Sequence, residues 1–215
     1  MKLGIALPLS LSCLLLLGGC ATSRSVLDIP PPASKAVSAS AGKEVLVTSV
    51  SDRRRFEANP SSPSIPSLDP GENQSADIKA RAVGRKRNTF GKALGDILLK
   101  EGQTVETLTA TSIRQAFAEK GYKLIDRKEQ ATKNTVFVEA AVDKFWSWLN
   151  ISFSALTLNT EIASELSLKS AEKTTTTTVS VKASDNYQTG MEENWIEVIN
   201  KALRAYVDEL KTKLE

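Results

Sequence analysis

Residues 84–93 read GRKRNTFGKA, and a glycine-flanked basic stretch of this kind could cradle a phosphate. The phosphate-binding P-loop needs four residues between its glycines, and Ser or Thr after its Lys, so that amides wrap phosphate and a hydroxyl holds magnesium. Here six residues separate Gly84 from Gly91, and Ala93 follows Lys92, so that chemistry is excluded. What remains is a run of cations, Arg81, Arg85, Lys86, Arg87 and Lys92, with no acid among residues 79–92. Arginine suits bidentate phosphate contacts, so the run reads as an anion or partner patch. It would serve lipopolysaccharide phosphates, phospholipid headgroups, peptidoglycan or an acidic protein. The plainer alternative is a solvated charge run on a loop, which charge reversal would leave stable.

A second cluster is aromatic. Phe145, Trp146, Trp148, Leu149 and Phe153 fall within nine residues. Trp146 and Trp148 form either an apolar contact surface for a membrane or partner, or a plug closing one end of the core. Alternation from Val136 through Val138, Ala140 and Val142 carries both tryptophans onto the valine face, which favours the plug. Two carboxylates, Glu161 and Glu165, formally allow glycoside hydrolysis. They sit on a regular polar strand face, with no apolar pocket to raise one pKa. The chain has no His, which removes the Ser-His-Asp triad, the Cys-His dyad, the imidazole base and His-ligated zinc or haem. No catalytic residue, metal ligand set or cofactor site is assigned, and the chain reads as non-catalytic.

The one covalent site is Cys20. Met1 and Lys2 form a positive start, and residues 3–17 are an apolar run. That run falls short of the roughly twenty residues a membrane span needs but suits a secretory signal. Leu17-Gly18-Gly19-Cys20 then resembles a bacterial lipobox: Leu, two small residues for extended entry into a peptidase cleft, and a thiol to accept diacylglycerol. Residues 1–19 are expected to be removed, taking Cys13 with them. The remaining thiol would carry the lipid, leaving none for a disulfide, a nucleophile or a thiolate metal site. Three acyl chains exceed what stable anchoring requires. Ala21 rather than Asp follows the Cys. By the sorting rule that such lipoproteins imply, this places the chain at the outer membrane, facing the periplasm.

Residues 20–43 read as the acylated start and a flexible tether, with Pro30-Pro31-Pro32 favouring extended polyproline. Such a spacer would reach some tens of Å. A short strand at residues 26–29 is the alternative. Residues 44–215 read as one periplasmic domain. Residues 44–50 (EVLVTSV) are apolar on both faces, as an interior strand is. Residues 57–78 carry Pro60, Pro63, Pro66 and Pro70 and form a long loop, so residues 57–92 count as a Pro/Ser-rich, basic insertion. Residues 93–100 show a short apolar stripe. A helix over about 104–120 follows, buries Val105, Leu108, Ile113, Ala116 and Phe117, and stops at Gly121.

Strands are expected at 122–126, 134–146, 156–169 and 174–183. Leu156, Leu158, Ile162, Leu166 and Leu168 share one face of the third. A helix over about 190–214 closes the chain, with Trp195, Val198, Ile199, Ala202, Leu203, Tyr206, Val207 and Leu210 at helical spacing. This order predicts an α+β fold: a two-layer sandwich, mostly antiparallel, with two main helices on one face. Hydrophobic residues at 41% and charged residues at 25% support a folded core. A net charge of +3 is too balanced for bulk nucleic-acid binding, and an exported lipidated chain does not meet the genome.

The lipobox, the opening strand with its charged end (VLVTSVSDRRRF), the helix ending in a Gly-aromatic strand (AEKGYKLI), the long Leu/Thr hairpin and the amphipathic last helix resemble the YajG-like outer-membrane lipoproteins of Gram-negative bacteria. The arrangement is also similar to the amino-terminal domain of TolB and the periplasmic part of the curli secretion lipoprotein. The resemblance covers residues 44–215 as an order of elements, with 57–92 as a departure. It implies a location and a fold but no chemistry and no site residues. The expectation is a lipid-anchored accessory protein that binds an envelope protein or an anionic envelope component. The alternative is a transport factor that holds a lipid, lipopolysaccharide or glycan itself. A deep apolar cavity would mark the carrier, and a packed core with a groove would mark the binding module.

Overall fold

The strongest amphipathic patterns in the sequence become the longest elements of the computed structural model, which describes residues 24–33, 42–152 and 155–214. Among these residues eight strands form one sheet and three α-helices accompany it. The strands are β1 (Ser25–Leu27), β2 (Glu44–Asp52), β3 (Ala82–Arg87), β4 (Ala93–Leu99), β5 (Lys123–Leu124), β6 (Thr135–Ile151), β7 (Leu156–Lys169) and β8 (Thr174–Tyr187). The helices are α1 (Ala76–Arg81), α2 (Val105–Glu119) and α3 (Glu192–Lys213). The α+β fold and the two main helices are as the sequence pattern predicts.

The sheet forks at β6. One edge of this 17-residue strand pairs antiparallel with β7, which pairs antiparallel with β8. The other edge is shared. Its first half pairs parallel with β2, and β2 pairs with β5. Its second half meets β3 in parallel at Gly84↔Ser147, and β3 continues antiparallel to β4, which carries β1 in parallel. Gly84 is required at that crossing. A Cβ there would lie 2.8 Å from the Ser147 carbonyl oxygen and 3.1 Å from Trp195.

Helices α2 and α3 cover one face. Leu158, Ile162 and Leu166 of β7, Val179 and Ala183 of β8, and Val198, Leu203, Tyr206 and Val207 of α3 form the main core with Phe117 and Ile113 of α2. Helix α2 is opened by a Thr104–Thr107 capping box, and Gly121 follows it at φ +85°. None of the described helices is long and apolar enough to cross a membrane.

Three expectations are corrected. First, β6 bulges between Val142 and Lys144. The extra residue reverses the alternation, so Phe145 continues the valine face while Trp146 and Trp148 turn to the other one. There they meet Phe56, Leu68, Ile78, Ala82 and Leu98 in a second, smaller core. The two tryptophans are thus buried in a core of their own rather than closing one end of the main one. Second, the 57–92 insertion is partly regular, and the loop expected at residues 57–78 ends where α1 begins at Ala76. Residues 57–75 lie over this second core, tied down where Trp146 Nε1 donates to the Pro63 carbonyl (3.1 Å), and α1, β3 and part of the sheet follow. Third, the described part of the tether, residues 24–33, is docked on the domain. Ser25–Leu27 is a strand on β4, and Leu27 and Ile29 enter the main core. Gln103 brackets Ile29 with two hydrogen bonds of 3.0 and 2.8 Å, and the Ala33 carbonyl accepts from Gln115 and Arg204. The segment docks because β4 offers an edge and the side chains of Gln103, Gln115 and Arg204 hold its backbone.

Candidate functional site

Four of the five cations of residues 81–92 are engaged by the fold. Arg81 ends α1, buried, beside Asp77 at 3.3 Å. Arg85 is buried on β3. It donates to the Leu68 carbonyl (2.9 Å) and lies 3.6 Å from Asp69 and from Asp96. Asp96 is itself buried on β4 and also accepts from Arg24 at 2.9 Å. Lys86 donates to Ser25 Oγ at 2.7 Å. Arg87 donates to the Gly91 carbonyl and to Ser67 Oγ, each at 3.0 Å. Burial, and then the neighbouring Arg85, hold the Arg87 guanidinium below its ordinary pKa. Lys92 alone of the five is exposed. An exposed basic loop is therefore replaced by a strand whose arginines pin the insertion to the sheet.

Sequence reasoning missed Arg54, which stood in a charged run read only as the end of a strand. Its side chain is buried and paired with Asp52 at 2.7 Å. It donates to the carbonyls of Lys79, Ala82 and Phe145. One guanidinium thus satisfies the end of α1 and joins it to β2 and β6. Trp148 closes the second core, with Lys182 Nζ 5.1 Å above its ring and Lys144 Nζ at 5.8 Å. Neither tryptophan presents a free apolar face, since Trp146 is fully buried and Trp148 nearly so. Cys20 lies outside the described residues.

The feature shaped to receive something is at the end of the sheet. An open cleft of about 800 Å³ lies between the β3–β4 turn, the β6–β7 hairpin and the start of α3. Leu94, Leu149, Ile151, Leu156, Met191 and Trp195 supply apolar wall. Lys86 and Arg87 stand on one side, and Glu192 and Glu193 in the first turn of α3 on the other. Ser25, the first residue of β1, lines it too. The β3–β4 turn is shaped by Asn88, whose Oδ1 accepts from the backbone N–H of Phe90 and Lys92, and by Gly91 at φ +78°. That turn holds Phe90 out at 92% exposure. The cleft combines an apolar wall with two cations and two carboxylates. Its means are apolar contact edged by charge.

No family model matches the sequence, and no curated protein matches it. Solved structures similar to the chain include bacterial lipoproteins. A Xanthomonas campestris protein carrying the DUF330 family model is 14% identical, with 90% of this chain and 93% of that one covered and a TM-score of 0.45. Lipoprotein GNA1162 from Neisseria meningitidis is 8% identical, covering 79% of this chain and 99% of that one, with a TM-score of 0.33. A minor lipoprotein from Acinetobacter baumannii is 10% identical, covering 48% and 83%, also at 0.33.

Proposed function

We propose that this chain is a lipid-anchored, non-catalytic binding or accessory protein of the bacterial envelope, held at the outer membrane by acylated Cys20 and akin to the YajG-like lipoproteins. The observation that carries the reading is the register of Lys2, the apolar run 3–17 and Leu17-Gly18-Gly19-Cys20. Surface binding is favoured over enclosed carriage of a lipid by two features. Large side chains such as Trp146, Trp195, Tyr206 and Phe117 fill the interior. The apolar cleft at the end of the sheet is open to the outside.

Substitution of the acceptor tests the anchor. Cys20→Ala is expected to abolish incorporation of radiolabelled palmitate, because Cys13 belongs to the segment expected to be removed. Label that persists in the variant would sink the reading.

A further inference from the structure

The exposed large hydrophobic side chains of the described residues are Val26, Phe90, Ile151 and Met191. Three of them are not scattered: Phe90 is in the β3–β4 turn, Ile151 ends β6 and Met191 precedes α3, whereas Val26 lies further in, on β1 opposite Leu98. Strand directions bring these points together. β3 runs parallel to β6, so their last residues lie at one end of the sheet. β4 opposes β3, so its first residue lies at that end as well, and β1 runs parallel to β4 with Ser25 level with Ile97, so the chain preceding Ser25 heads toward that end. Isolated exposed apolar residues are ordinary, but a rim of them around an apolar cleft marks a contact surface.

The chain outside the structure says what that surface meets. Arg24 is held to the domain by Asp96 at 2.9 Å and Glu72 at 3.4 Å. From Cys20 to Arg24 is four peptide steps, which span about 14 Å when fully extended. The sheet is far longer than that, since the 14 residues of β7 cover about 45 Å. A lipid on Cys20 therefore cannot reach round to the far end, where β7 turns into β8. It leaves the domain beside Ser25, and so beside the cleft.

We propose that the cleft end of the domain rests on the phospholipid surface, with Phe90, Ile151 and Met191 entering the headgroup layer. This rests on the acylation of Cys20 proposed above and adds the orientation and the residues that touch the membrane. Aromatic and aliphatic side chains gain by leaving water for that layer, and a covalent anchor supplies the second signal that keeps them there. Lys86, Arg87 and Lys92 meet lipid phosphates, while Glu192 and Glu193 oppose strong selection for anionic headgroups. The contact is therefore apolar in the main and tolerates zwitterionic lipid.

The test uses the lipidated full chain in vesicles of phosphatidylethanolamine and phosphatidylglycerol containing nitroxide-labelled phospholipid. Phe90→Cys and Glu172→Cys each carry a polarity-sensitive fluorophore. Both positions are exposed, and Glu172 lies in the β7–β8 turn at the far end. The probe at 90 is expected to shift blue and lose most of its emission to the nitroxide, and the probe at 172 to do neither. Equal quenching at both, or none at 90 in chains that float with the vesicles, overturns the orientation. Shielding of position 90 from aqueous iodide without nitroxide quenching also overturns it and assigns the surface to a second copy. Palmitate label and flotation are read separately, and their loss removes the anchor together with this orientation.

Discussion

Arg85 and Lys92 belong to the same cationic run and occupy opposite worlds. Arg85 is about 5% exposed and sits between Asp69, Asp96 and the Leu68 carbonyl, whereas Lys92 is open to water. Reversing Arg85 to Glu places a third carboxylate beside the buried Asp96 and the partly exposed Asp69. Removing one partner of a buried pair costs about 3–5 kcal/mol, and surface changes usually stay within about 0.5. Urea unfolding is expected to show a large loss for Arg85→Glu and none for Lys92→Glu. Equal midpoints for the two would mean that Asp96 and its neighbours do not need Arg85.

Tyr206 gives a pH signature on the same scale. Burial pushes its phenol up to about 12, with the Ser164 hydrogen bond of 2.6 Å pulling weakly the other way. The folded pKa lies above the unfolded value of 10.0. The contribution is therefore full below pH 10, where both states are protonated, and falls as pH rises from there to about 12. Tyr206→Phe is expected to lose about 0.5–1.5 kcal/mol at neutral pH, the worth of the hydrogen bond. It should also show a shallower alkaline decline than wild type, although Tyr187, likewise pushed to about 12, leaves part of that slope. Parallel curves for the two proteins between pH 9 and 12 would show that the phenol is not buried in the folded chain.

At the scale of elements, what could be read from the sequence had a period, and what could not depended on partners far away in the chain. Helix α3 and strand β7 show clean 3.6- and 2-residue patterns, because each has one wet and one dry face. β3 has neither. Its polar side chains are buried by Asp69 and Asp96, which stand well apart from it in sequence, so a strand looked like a basic loop. The bulge after Val142 carries no local mark, yet it alone decides which face receives Trp146. Of the candidate site, the apolar half was hidden for the same reason: its walls come from three turns that nothing in the sequence brings together.

The readable elements carry the firmest packing expectation. Leu166 of β7 and Leu203 of α3 are buried in the main core where α3 packs on the sheet. Truncating either to Ala is expected to cost about 2–5 kcal/mol. Thermal unfolding of both variants at the wild-type temperature would show that strand register or helix docking is misassigned.

On the scale of the whole molecule, the sheet is dressed unequally on its two faces. One face carries α2, α3 and the large core that also takes in Leu27 and Ile29 of the amino-terminal segment. The other is covered over its β3–β6 half by residues 57–75 and α1, on a core of six buried side chains centred on Trp146 and Trp148. Stability follows burial locally, so regions with few apolar contacts open below the global unfolding free energy. The cover is irregular backbone, held by the buried Arg54 and Arg85 and by the Trp146–Pro63 hydrogen bond. It is therefore expected to open as a unit while β6–β8 and α3 remain closed. In native-state hydrogen exchange, amides of residues 57–75 should exchange well before those of β7, and proteases should cut that segment first. Trp146→Ala removes the centre of the small core, where truncating a buried Trp costs about 3–5 kcal/mol. Its effect should be lopsided, with cleavage of residues 57–75 strongly accelerated and protection of β7 reduced much less. If cutting instead appears together in the cover and in β7, the two cores unfold as one, and the second face is as integral to the fold as the first.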